Sequence, residues 1–211
     1  SKLNNVKPNE ALKHPKWKMG KKISIDSATL MNKMLEIMEA QKLFAFSLKK
    51  LDIVIHPESL VHAIIQFKNG LYKFLYHETT MVIPLLNAIF EKNLDIKKVF
   101  KNDKIKKNFF FKNFIFQKVD KKRFPVIKLK SRMNEFFSTP IIINAANEIL
   151  VEQYLKKKIG FNSFYNHILN VMRDSNYKKY AIKVPKNINQ IMTINKWARE
   201  VTLKKIETKN V

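Results

Sequence analysis

The 211-residue chain contains no cysteine and only three glycines, Gly20, Gly70 and Gly160. Without cysteine there is no disulfide framework and no thiolate-bound zinc or iron–sulfur centre, a composition that fits a reducing compartment. Three glycines so widely separated exclude the Gly-x-Gly-x-x-Gly turn of a dinucleotide-binding unit. No apolar run approaches the roughly 20 residues that a membrane helix needs. The opening residues SKLNNVKPNE lack the apolar core of a signal peptide, and the absence of a leading Met suggests that residue 1 is not the true start. Arginine is scarce as well. Of 41 basic residues only Arg123, Arg132, Arg173 and Arg199 are arginine, and they are scattered.

What is present is lysine, asparagine and a greasy complement. Net charge is +24, and hydrophobic residues make up 45% of the chain, enough for a globular core. A charge of that size suits phosphate contacts with nucleic acid or lipid. Nucleic-acid readers, however, lean on arginine's planar fork. Lysines spread along the whole chain read instead as a solvated surface of biased composition, so no nucleic-acid partner and no membrane partner are expected.

Residues 1–20 read as irregular, punctuated by Pro8, Pro15 and Gly20. KISI (22–25) reads as a short strand, after which Asp26 or Ser27 caps a helix to about Phe44 with Leu30, Met31, Met34, Leu35 and Met38 as its apolar stripe. LDIVI (51–55) reads as a buried strand. LVHAIIQF (60–67) and LYKFLY (71–76) flank Asn69-Gly70, a strong hairpin signal. Pro84 begins a helix to about Lys92. Residues 93–122, rich in Lys, Asn and Phe, read as a linker holding one strand, FFFKNFIF (109–116). Helices are expected near 126–137, 141–158, 162–173 and 187–207. The fold class is therefore α+β followed by α: a small α/β catalytic domain with a strand hairpin over 1–92, a linker over 93–122, and a C-terminal helical bundle over 123–211.

The stretch HPKWKMGKKISIDSATLMNKMLE (14–36) is the chemically dense part. At about 100° per residue, a helix after Ser27 brings Thr29, Asn32, Lys33 and Glu36 into one arc away from the Met/Leu stripe. Ordinary amphipathicity explains such a face. The same groups also suit a phosphate at a helix N-terminus, with Ser27, Asn32 and Lys33 as donors, and a hard cation held by Glu36 one turn further along. Before it, His14, Trp17 and Met19 sit on a loop bounded by Pro15 and Gly20. That loop is either a lid over a substrate or a surface loop whose Trp packs down.

The motifs ALKHPKWKMGKKISIDSATLMNKMLE, IHPESLVH, FIFQKVDKKRFP and NAANE (144–148), in this order, resemble the 1-deoxy-D-xylulose 5-phosphate reductoisomerase family over essentially the whole chain. The resemblance implies conversion of 1-deoxy-D-xylulose 5-phosphate to 2-C-methyl-D-erythritol 4-phosphate with NADPH and Mn²⁺ or Mg²⁺, in non-mevalonate isoprenoid biosynthesis. It implies phosphate and hydroxyl contacts for Ser27, Asn32 and Lys33, a metal ligand in Glu36, and a substrate contact for His14. Trp17 and Met19 become the lid (14–20), and Gly20 a contact to NADPH. A homodimer in the cytoplasm, or in the plastid of a eukaryote, is implied by the same resemblance. The family's Gly-rich nucleotide domain, its Asp-Ser-Glu metal motif and its Ser-Gly-Gly loop have no counterpart here. Met34 stands where the family has Gly in Asn-Lys-Gly-Leu-Glu, and Thr79-Thr80-Met81 replaces Pro-Asp-Met. The chain is thus expected to be a fragment of a longer enzyme, inactive alone, with one half of a split enzyme, a degenerate interaction module and, more distantly, a basic nucleic-acid-binding protein as the alternatives. His56 and His62 read as structural or supporting groups, and Asn144, Asn147 and Glu148 as polar ties between the helical and α/β parts.

Overall fold

The computed structural model describes residues 6–13, 19–90 and 114–208. In chain order it contains α1 (Pro8–Ala11), α2 (Lys21–Thr29), α3 (Met31–Phe44), β1 (Val54–Ile55), β2 (Val61–Gln66), β3 (Tyr72–Tyr76), α4 (Val82–Phe90) and β4 (Gln117–Lys118). Next come a 3-10 helix over Pro125–Ser131 and then α5 (Thr139–Leu155), α6 (Phe164–Met172), α7 (Tyr177–Ala181) and α8 (Ile188–Glu207). Helices dominate and the sheets are two-stranded, in line with the expected class. Among the described residues no helix is long and apolar enough to cross a membrane.

Packing sorts these elements into two units. One holds residues 6–13, 19–53 and 119–208; the other holds 54–90 and 114–118. The expected boundaries at 92 and 122 are therefore not the packing boundaries. The segment carrying α2 and α3 shares a core with the C-terminal helices because Ile25, Met31, Met34, Ile37 and Met38 are buried in the same apolar cluster as residues of α5 and the 3-10 helix.

KISI is not a strand. Residues 21–29 form α2, entered from Gly20, whose carbonyl accepts the Ser24 N–H at 3.1 Å and the Ser24 hydroxyl at 3.0 Å. Two isoleucines two apart cannot separate a strand from a buried helical face. The deciding fact is that Ser24, Ile25, Asp26 and Thr29 are all buried on one helix. Nor does one helix run from Ser27 to Phe44. Leu30 adopts left-handed backbone at φ 62°, ψ 13°, closing α2 and turning the chain into α3, which ends at Phe44 as expected. Asp26 and Ser27 consequently lie in the second half of α2 and cap nothing.

In the second unit the hairpin forms as the Asn-Gly signal requires. β2 and β3 pair antiparallel from Val61 opposite Tyr76 to Gln66 opposite Tyr72, and Gly70 takes φ +88° in the turn. LDIVI supplies only the two strand residues of β1, paired with β4, and Val54 is exposed. Of the expected strand 109–116, residues 109–113 lie outside the described residues and 114–116 are not strand; β4 begins just after them.

α5 is the centre of the helical unit. Its sequence TPIIINAANEILVEQYL is buried nearly all round, and Ala145 and Ala146, wholly buried, let neighbouring helices approach closely. α8 lays Ile194, Trp197, Ala198, Thr202 and Ile206 inward, a stripe of helical spacing. Its start is capped by the Asn187 side chain, which accepts the Gln190 N–H at 3.0 Å. The expected helix at 126–137 is a 3-10 helix ending at Ser131, and α7 has no counterpart among the expected helices.

Candidate functional site

Residues 32–36 lie on the first two turns of α3, just past the Leu30 elbow. Asn32 and Lys33 are half-buried and Glu36 is exposed. The three converge on one carboxylate: Glu36 Oε1 accepts from Asn32 Nδ2 at 2.7 Å and from Lys33 Nζ at 3.0 Å, and Oε2 accepts from Lys33 Nζ at 2.8 Å. Lys33 and Glu36 retain side-chain exposures of 44% and 45%, so this i, i+3 ion pair sits in water and is worth little, about 0.3–0.5 kcal/mol. A strongly charged ligand can displace either partner at small cost.

Thr29 does not belong to that face. It is buried, its hydroxyl donating to the Ile25 carbonyl at 2.9 Å and accepting the Met31 N–H at 3.3 Å. The Leu30 turn breaks the single helical arc that would group it with Asn32. Ser27, half-buried, stands on α2 three residues before the elbow. Met19 is half-buried and Gly20 exposed at the entrance to α2. A Cβ built on Gly20 would meet nothing within 4 Å. Neither its φ of −62° nor its surroundings within the chain require glycine there. His14 and Trp17 lie outside the described residues.

Below the site is a buried polar pair that the sequence does not disclose. Asp26 is 1% exposed, and its carboxylate accepts from Asn147 Nδ2 at 2.8 Å and from Lys22 Nζ at 2.8 Å. Asn147 is the polar tie that the sequence suggests, but its partner is Asp26, a residue expected to cap a helix. The only sequence signal for Asp26 is an acidic residue between buried positions of α2. Neighbouring Glu148 pairs with Arg199 of α8 and accepts from Asn144 Nδ2 at 3.4 Å.

As a metal centre the described residues are incomplete. Among the described residues no group of three or more His, Cys, Asp or Glu side chains could hold a metal ion. Glu36 offers one carboxylate, which suits one oxygen ligand of Mg²⁺ or Mn²⁺ and not a whole site. His56, His62 and His77 lie against other protein groups. His56 Nδ1 lies 3.0 Å from the Ile115 carbonyl and 3.1 Å from Glu58 Oε2, with its ring 5.1 Å from Phe116. His62 stacks on His77 with centroids 3.7 Å apart. Met34 is wholly buried in the core while Lys33 beside it reaches solvent. Thr80 accepts the Val82 N–H at 3.2 Å at the start of α4.

Comparison with known proteins bears on the family of the chain. Residues 1–44 match the family described as 1-deoxy-D-xylulose 5-phosphate reductoisomerase C-terminal domain, and residues 78–201 match the DXP reductoisomerase C-terminal domain. The chain is 44% identical over 195 residues to the 1-deoxy-D-xylulose 5-phosphate reductoisomerase of Pelagibacter ubique, covering 92% of this chain and 49% of that protein. It is 34% identical over 207 residues to that of Prosthecochloris aestuarii, covering 94% of this chain and 50% of that protein. A solved DOX-P reductoisomerase in complex with NADPH, fosmidomycin and magnesium superposes with a TM-score of 0.86 at 27% identity, covering 99% of this chain and 52% of the other. The reductoisomerase of Zymomonas mobilis in complex with NADPH superposes with a TM-score of 0.78 at 28% identity, covering 98% and 51%. The chain spans about half the length of the curated relatives it matches.

Proposed function

The chain belongs to the 1-deoxy-D-xylulose 5-phosphate reductoisomerase family, and on that premise we propose that it is the catalytic and helical part of such an enzyme. The complete protein converts 1-deoxy-D-xylulose 5-phosphate to 2-C-methyl-D-erythritol 4-phosphate with NADPH and Mg²⁺ or Mn²⁺, in non-mevalonate isoprenoid biosynthesis. The observation that carries the reading is the Asn32–Lys33–Glu36 cluster on α3, formed by residues that match the family's motif in order and spacing.

In this reading the Ser27 hydroxyl, the Asn32 amide and the Lys33 ammonium donate to the phosphate and hydroxyls of the substrate. Lys33 leaves Glu36 to do so, and the weakness of their exposed pair supports that exchange. The freed Glu36 carboxylate would offer one oxygen ligand to the cation. Among the described residues no group of three or more His, Cys, Asp or Glu side chains completes the coordination. When bound, the cation supplies Lewis-acid polarisation and NADPH supplies hydride. His14 contacts substrate, Trp17 and Met19 close over it to exclude water, and open space beside Gly20 suits close approach of the nucleotide. Residues 1–92, with the lid at 14–20, act as the catalytic part, 93–122 as a linker and 123–211 as the helical part. The enzyme is a cytoplasmic homodimer. Support for the dimer comes from the open hairpin, which exposes Ile65, Leu71, Phe74 and Leu75.

The test is made on the complete enzyme. NADPH oxidation, followed optically, should require both the sugar phosphate and the divalent cation. Glu36→Gln should abolish it without lowering the melting temperature, since Glu36 is exposed and its ion pair is weak. Full activity in Glu36→Gln refutes the assignment of Glu36 to the metal.

A further inference from the structure

Asp26 and Asn147 are 1% and 0% exposed, yet one is charged and the other is an amide. They meet across α2 and α5, 121 residues apart in sequence, through a 2.8 Å hydrogen bond from Asn147 Nδ2 to Asp26 Oδ1. Lys22 neutralises the second carboxylate oxygen from one turn earlier, with its own side chain 46% exposed. The arrangement is not the most favourable way to join two helices. A buried carboxylate carries a desolvation cost of several kcal/mol, and an apolar pair of similar volume often packs as well or better. Asn147 also leaves its own Oδ1 buried without a hydrogen-bond partner, because the amide must turn its nitrogen to the carboxylate.

What a directional bond supplies, and an apolar contact does not, is one rotation of α2 about its axis. That rotation sets the placement of the residues immediately C-terminal to Asp26. Ser27 is the next residue, and Leu30, three residues further, sets the direction in which α3 leaves. Asn147 is itself held on a pinned helix: its neighbour Glu148 pairs with Arg199 of α8 and accepts from Asn144 one turn earlier on α5. The chain of contacts thus runs from α5, buried nearly all round, to the two elements that carry the binding groups.

We infer that Asn147 is a positioning residue for the phosphate end of the substrate site, acting through Asp26 to hold Ser27 and the elbow that presents Asn32 and Lys33. The inference rests on the phosphate-binding role proposed above for those three side chains. It assigns Asn147 no contact with substrate.

Three variants of the complete enzyme test it: Asn147→Leu, the double Asp26→Leu with Asn147→Leu, and the exchange Asp26→Asn with Asn147→Asp. Asn147→Leu leaves the buried Asp26 Oδ1 without its donor and should lose stability. The double leucine variant removes both polar groups and should unfold at a urea midpoint close to that of the unaltered enzyme. Its KM for the sugar phosphate should nevertheless rise about 10- to 100-fold, the worth of one misplaced hydrogen bond to a charged group, with KM for NADPH unchanged. The exchange restores an amide–carboxylate bond in the opposite sense and should bring KM back to within a few-fold. A folded double variant with the original KM overturns the inference, as does a loss confined to apparent kcat in proportion to unfolded protein. If the double variant does not fold, Asn147→Ser is read by the same split between the two KM values. An unaltered enzyme that fails to oxidise NADPH overturns the reductoisomerase reading and this inference with it. Turnover by the unaltered enzyme together with an unmoved KM in the variants overturns this inference alone.

Discussion

Met34 offers a sharp test of how the α3 segment is packed. The family motif has glycine at this position, so replacing Met34 by Gly looks like a return to type. The structure makes the opposite prediction. Met34 is 0% exposed and belongs to the apolar cluster that joins α3 to the 3-10 helix and α5. Burying a methionine side chain contributes about 1.5–3 kcal/mol by transfer alone. Truncation to Ala adds a cavity term, giving a usual range of about 2–5 kcal/mol. Met31 and Met38, also on the buried face of α3, are flexible and can move into part of the space. The loss for Met34→Ala should therefore lie in the lower half of that range, about 2–3.5 kcal/mol. Met34→Gly should cost about 1 kcal/mol more, because glycine in a helix interior is less favourable than alanine by that amount. Against a typical total of about 5–15 kcal/mol these are large fractions, and both should read cleanly in urea unfolding with an unchanged m-value. A loss below about 1 kcal/mol for Met34→Ala, well under the usual cost of truncating a core methionine, would refute the packing described here. It would mean that the core closes without this side chain.

The helical unit also carries two pH dependences. Burial, with the Glu10 carboxylate adding to it, pushes the Tyr154 phenol up to about 12, and its hydroxyl donates to the Val6 carbonyl at 2.9 Å. The unfolded phenol ionises near 10 while the folded one does not, so this contribution is complete below pH 10 and lost as pH rises from there towards 12. Urea midpoints in that interval should fall more steeply for the unaltered chain than for Tyr154→Phe; parallel curves would refute the assignment. Burial pushes the Asp174 carboxyl up, but the Asn176 N–H and the Lys205 ammonium at 3.0 Å, with Lys204 beyond it, outweigh burial and hold it below its usual range. That stability is present above the ordinary carboxylate range and is lost as pH falls through and below it. Lys205→Met should therefore cost more at neutral pH than in acid below the carboxylate range, and an equal cost at both would show that the pair does not set the Asp174 pKa.

Much of the hairpin and of the helical unit is legible in the sequence because the signals are local. Asn69-Gly70 demands a turn with positive φ, and Gly70 provides it at +88°. Gly160 and Pro185 punctuate the helical region, and the helices expected at 141–158 and 187–207 match α5 and α8 to within a few residues. The differences between expectation and structure cluster around α2. KISI carries too few residues for its periodicity to separate strand from helix, and Leu30 has no local reason to adopt φ 62°, since left-handed backbone is costly for any residue with a Cβ. The shared core holds Ile25 and Met31 on either side of that residue, and the Thr29 hydroxyl accepts the Met31 N–H across the turn. The same break moves Thr29 from the expected polar face into the interior. Asn32, Lys33 and Glu36 stay together because all three lie beyond the break, on one regular helix.

The chain's sequence by itself determined its family, its helix-rich class and the identity of the polar groups on α3, since these depend on residue order and on spacing within single helices. Tertiary structure alone decided that residues 19–53 fold with residues 119–208, that the chain turns at Leu30, and that Asp26 is an anchor for α5. Those outcomes depend on contacts between residues far apart in the chain, as Asp26 and Asn147 are. No local propensity reports which buried surface a short segment will find.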